Sequence, residues 1–158
     1  MNMAHIHLLV NHFPIIGSIF ISIMFLIALI FKNVFLQKLS LWFLVVVALF
    51  TAVAYISGDG AKSILENVTR VPEGVMHDHE SMARVGLILM FFAGAVSLFG
   101  VIFYSRKSTL PRYLQIIVMA ILVVSVIVFI YVGYLGGQVS HPEIRSFIEV
   151  PGHLLSLN

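Results

Sequence analysis

Four apolar runs, each long enough to cross a lipid bilayer as a helix, occupy most of this chain: residues 13–31, 39–57, 82–104 and 113–135. A hydrocarbon core of about 30 Å needs roughly 20 such residues. The sequence therefore predicts an all-α integral membrane protein. Composition agrees, since 60% of the 158 residues are hydrophobic and 10% are charged, against roughly 25% charged in soluble domains. The first run is retained as a span: no basic residue precedes it, it is longer than a signal-peptide core of about 7–15 residues, and no small-residue cleavage site follows.

Connections are short between the first two runs (Lys32 to Lys38) and the last two (Ser105 to Arg112), while Gly58 to Ser81 is longer and polar. Short turns favour neighbouring helices, so one up-down-up-down four-helix bundle is expected, as a single domain with an outer tail at 136–158. Neither an internal repeat nor a low-complexity tract is convincing in the sequence. Lys32, Lys38, Arg106, Lys107 and Arg112 crowd the two short loops, whereas all seven carboxylates fall on the other side. Basic density in short loops marks the cytoplasmic face, so both termini are expected outside. Small residues at i, i+4 (Ser18 and Ser22, Ala48 and Ala52, Ala93 and Ser97, Gly133 and Gly137) suit close helix packing in lipid. The absence of cysteine excludes disulfides, iron–sulfur clusters and covalent c-type haem. No basic stripe marks a nucleic-acid partner.

Under this topology all seven histidines gather at the outer mouth. His5, His7 and His12 precede the first span, His77 and His79 the third, and His141 and His153 follow the fourth. Imidazole is the commonest metal ligand. Asn11 is a candidate N-cap for a helix starting at His12; if the helix starts earlier, Pro14 frees the Val10 carbonyl and bends it. On one continuous helix His7 and His12 diverge by about 140°, so each helix end is expected to give one ligand per site. His12 with His79 is the expected axial pair for a haem, and His7 with His141 the second pair. Asn11, Asp78 and Glu80 are candidates to orient the rings, and Arg84 with Lys62 or Arg145 to meet haem propionates. The pair Gly136-Gly137 is expected to end the last span and turn His141 back over the bundle. His153 reads as incidental.

The string His7-Leu8-Leu9-Val10-Asn11-His12-Phe13-Pro14, followed by Ile15-Ile16-Gly17, resembles a widespread bacterial family of small, uncharacterised four-helix membrane proteins. So do Ser57-Gly58, His79-Glu80 and Gly136-Gly137 followed by His141-Pro142-Glu143-Ile144-Arg145, together covering residues 4–145. The resemblance implies the four-span fold and picks out His7, His12, His79 and His141, with His5 often present. His77 stands where the family more commonly has an acidic residue. A broader related group of membrane proteins is suspected of haem binding.

Three functions are compatible with these residues. The leading expectation is a b-type haem protein of the bacterial cytoplasmic membrane, holding one or two haems and passing electrons between quinol or a redox subunit and the outer side. The second is a copper, zinc or iron site built from His5, His7, His12, His79 and His141, with Glu80 or Glu66 as an oxygen ligand. The third is an accessory subunit of a larger respiratory or photosynthetic complex. A proton pump is disfavoured, because spans one, two and four lack ionisable groups in their centres.

Overall fold

A computed structural model of the chain describes residues 2–68, 71–104, 106 and 109–145, with 66–68 and 142 described by backbone alone. His153, the rest of the tail after Arg145 and the Glu66 side chain lie outside the described residues. The described elements are helical: α1 (Met3–Val10), α2 (His12–Ile30), α3 (Val34–Val68), α4 (Glu73–Tyr104), α5 (Arg112–Ser140) and a 3₁₀ turn, Pro142–Ile144. Four stretches are long and apolar enough to cross a membrane: Met3–Ile30, Val34–Leu65, Glu73–Tyr104 and Arg112–Ser140.

The helix ends differ from expectation in three places, each for a local reason. Helix begins at Met3, not His12, because Asn2 Oδ1 accepts the His5 N–H at 3.1 Å and caps the first turn. Asn11 is then a joint between α1 and α2, with right-handed backbone and no side-chain cap bond to α2. Pro14 cannot donate to the Val10 carbonyl, and the ladder breaks where that bond is missing. The polar 58–81 segment, expected as a loop, is mostly helix: α3 continues to Val68 and α4 starts at Glu73. A 2.9 Å ion pair between Lys62 and Glu80 ties these two extensions together. Finally, α5 runs through Gly136 and Gly137 to Ser140, and neither of these glycines has a positive φ. The glycine pair does not turn the chain.

The helices pack in a ring, α2 on α3, α3 on α4, α4 on α5 and α5 on α2, while α1 lies mainly on α3. The backbones of the diagonal pairs α2–α4 and α3–α5 stay more than 8 Å apart, Cα to Cα, among the described residues, and these pairs meet through side chains, as Gln37 of α3 does with Gln115 of α5. Phe25, Leu41, Leu44, Met90 and Leu122 fill the centre with no exposed surface. Close approach is bought with small residues: a Cβ on Gly94 would lie 2.8 Å from that of Ala48. The outward faces carry large apolar side chains, among them Phe20, Phe91, Phe92 and Ile127, all more than half exposed.

At the end away from the histidines, Asn33 caps α3 by accepting the Leu36 N–H at 3.0 Å. Nearby, buried Gln37 donates to the Ala28 carbonyl at 3.3 Å and accepts from Gln115 Nε2 at 3.3 Å. Gln115 Nε2 also reaches the Leu110 carbonyl at 3.0 Å. Because these groups are shielded from water, losing them leaves unsatisfied partners. Gln37→Leu is expected to destabilise the bundle by about 1–3 kcal/mol, read as a lower melting temperature in detergent. An unchanged melt would show that this network carries no stability.

Candidate functional site

The cavity at the histidine end has a volume of about 430 Å³ and is walled by all five helices. His7, His12, His79 and His141 all line it, as do Asn11, Tyr55, Asp59, Lys62 and Glu80. Much of the remaining wall is small: Ala4, Ala54, Gly58, Ala61, Ala83, Gly133 and Gly136. This size falls within the usual range of small-molecule sites, about 300–1,000 Å³.

Two of the histidines are seated alike. His7, on α1, lies against α3 with Nδ1 2.9 Å from the Ala54 carbonyl. A carbonyl only accepts, so Nδ1 carries the proton and, in the neutral ring, Nε2 keeps its lone pair. Four residues beyond Ala54, the α3 backbone passes beneath the ring at Gly58, where an added Cβ would sit 3.1 Å from Cε1. Ser57 donates to the same carbonyl at 3.0 Å. His79, on α4, rests on α5 over a glycine in the same way: a Cβ on Gly136 would sit 3.1 Å from its Cε1, and Val132, four residues earlier, lines the same cavity. His79 Nδ1 is buried without a hydrogen-bond partner, as is Asn11 Oδ1. Buried polar atoms of this kind are uncommon in folded proteins, and each calls for a partner.

The other candidates are placed differently. His12 borders the cavity but is exposed, as is His141. His7 and His12 border one cavity despite the divergence expected of them on a continuous helix. His141 Nδ1 donates to Glu143 at 2.9 Å. The Glu143 carboxyl is held below the usual carboxylate range, first by its own backbone N–H and then by His141. His5 is outside the cavity wall, its Nδ1 2.6 Å from Asn2 Oδ1. His77 is exposed, 3.9 Å from Asp78.

Glu80 faces the cavity while paired with Lys62 at 2.9 Å and Arg84 at 3.3 Å. Arg84 also donates to Tyr55 at 3.3 Å and is not part of the wall. Arg145 donates to the Gln138 and Val139 carbonyls at 2.7 and 3.0 Å, closing the end of α5. His141 is the C-cap residue, and the Arg145 side chain satisfies carbonyls of the last turn. Among the described residues no group of three or more His, Asp or Glu is gathered closely enough to hold a metal ion.

Ala54, Gly58, Val132 and Gly136 are the parts of the site that histidine spacing did not reveal. Their signal was present in Ser57-Gly58 and Gly136-Gly137, read for their resemblance and as punctuation, not as seats for rings. Comparison with protein-family models, with curated proteins and with solved structures finds no match.

Proposed function

We propose that this chain is a b-type haem protein of the bacterial cytoplasmic membrane, an up-down-up-down bundle with both termini outside, relaying electrons between quinol or a redox subunit and the outer side. The family resemblance in the sequence is part of the same proposal. The observation that carries it is the pair of imidazoles that line one cavity, each over a glycine of a neighbouring helix, His7 with its Nδ1 proton tied to Ala54 and His79 with a buried ring nitrogen lacking a partner. A second-sphere carbonyl that fixes the tautomer is the usual companion of a ligating histidine.

The donor set fits the group. Two nitrogen ligands suffice for a haem, and no three-ligand cluster is gathered among the described residues for a free copper, zinc or iron ion. When bound, the haem would supply a one-electron carrier, which side chains alone do not provide. The protein's own contribution is to present the His7 and His79 rings, to leave room beside them with alanine and glycine, and to shield them from water. Lys62 and Tyr55 give the wall polar groups suited to carboxylates. Membrane placement is supported by the four apolar stretches and the large apolar side chains facing outward.

Haem content tests the assignment. Protein purified in detergent, or reconstituted with haem, is expected to show a reducible spectrum with sharp α and β bands and a stoichiometric haem-to-chain ratio. A colourless protein that takes up no haem would refute it. Topology is tested separately with single cysteines, which are unique labels because the chain has none. Lys38→Cys is expected to resist membrane-impermeant maleimide in intact cells, and His77→Cys to react. The reverse pattern would invert the orientation.

A further inference from the structure

The burial pattern of the first helical stretch recurs in the third. Pro14, Ser18, Ile21, Phe25 and Ala28 are the buried residues of α2, and 72 positions later stand Gly86, Met90, Ala93, Ser97 and Gly100, all buried in α4. The same offset lays His5-Ile6-His7 on His77-Asp78-His79. The second and fourth stretches correspond at an offset of 78: Ser40, Leu44, Thr51 and Ser57 with Val118, Leu122, Phe129 and Leu135, all buried. That offset also pairs Phe35-Leu36-Gln37 with Tyr113-Leu114-Gln115, and Gly58 with Gly136. Of the six-residue difference, four residues lie in the longer connection between α4 and α5 and two in the longer end of α4.

The packing has the same symmetry. The pair α2–α3 matches α4–α5, and the two pairs meet through equivalent contacts, α3 with α4 and α5 with α2. In an assembly of two like units, residues near the relating axis meet their own counterparts. Gln37 bonds to Gln115 at one end. At the other end His7 and His79 border one cavity, each on the matching glycine.

We infer that the chain is two copies of one helix pair, and that His7 and His79, the same residue in each copy, are the axial ligands of one flat ligand lying across the axis between them. His12 has no such counterpart, because its equivalent is Arg84, and His141 corresponds to Ser63. This replaces the expected pairing of His12 with His79. The ligand's identity as haem rests on the function proposed above, whereas the equivalence of the two histidines does not.

Four full-length variants, His7→Ala, His79→Ala, His12→Ala and His141→Ala, are to be loaded with haem in detergent. Haem-to-protein ratio, low-spin absorption and the melting temperature of the haem-free protein are then measured. His7→Ala and His79→Ala should each lose stoichiometric haem retention to a similar degree, with loss of the low-spin bands and a retained melt. His7→Gly and His79→Gly should regain those bands with added imidazole. His12→Ala and His141→Ala should behave as wild type. A spectrum that depends on His12 or His141 but not on His7 overturns the inference and leaves the haem reading intact.

A haem-independent arm uses the double variant His7→Cys with His79→Cys, bridged by a short bifunctional maleimide and read by mass spectrometry. Intramolecular bridging in a protein that takes no haem supports the facing pair while refuting the proposed function. Absence of bridging, with both thiols shown reactive to a monofunctional maleimide, overturns the inference itself.

Discussion

Gly136→Val is expected to abolish haem retention while leaving the bundle folded. The backbone of α5 passes so close beneath His79 that even a bare Cβ would come within 3.1 Å of the ring. A valine adds two methyl groups beyond that point, and the ring has to leave its seat. Glycine inside a helix costs about 1 kcal/mol relative to alanine, so filling this position offsets part of the strain through helix propensity. The damage therefore falls on ring placement. Gly58→Val is expected to act equivalently on His7, where the same distance is found. Retained helicity by circular dichroism with lost haem absorption is the predicted result. A valine variant with the wild-type spectrum would show that the glycine seats do not position the ligands.

Ala83→Phe is expected to separate binding from stability in the opposite sense. Ala83 borders the cavity and makes none of the hydrogen bonds that hold the histidines. A phenyl ring placed there occupies space that a ligand needs. Cavity filling commonly raises stability by about 0.5–2 kcal/mol. The haem-free variant should thus melt no lower than wild type and yet take up little haem. A lower melt together with full haem loading would mean that the cavity is not the binding space.

The four helices were legible because their signal is bulk hydropathy, which survives any exchange of one large apolar residue for another. Their ends were not, because they depend on single residues with two meanings. Gly136-Gly137 resembles a stop, but a glycine also permits close approach, and here Gly136 lies beneath His79 inside an unbroken helix. Asn11 resembles a cap, but Asn2 holds that role and Asn11 marks the break imposed by Pro14. Convergence of His7, His12, His79 and His141 on one cavity followed from topology. The seating of His7 and His79 did not, since it depends on the Ala54 carbonyl and on glycines of neighbouring helices 47 and more positions away.

The correspondence between the halves was hidden for a related reason. Apolar positions facing one another across a bundle are interchangeable, so Phe25 is matched by Ser97 and Thr51 by Phe129 while burial is kept. The residues that do repeat, His-x-His at 5–7 and 77–79, an aromatic-Leu-Gln at 35–37 and 113–115, and Gly58 with Gly136, are few and lie at two different offsets. Burial brings the two offsets into one scheme. Arg84 and Arg145, expected near propionates, are engaged with other groups: Arg84 with Tyr55 and Glu80, Arg145 with the end of α5.

Ligation by two neutral imidazoles is the central claim, and near-infrared magnetic circular dichroism of the oxidised, haem-loaded wild-type protein reports on it most directly. The account predicts the low-spin ferric charge-transfer band of a bis-histidine haem, at one haem per chain. A high-spin or five-coordinate spectrum, or a low-spin band belonging to any other ligand pair, would contradict it.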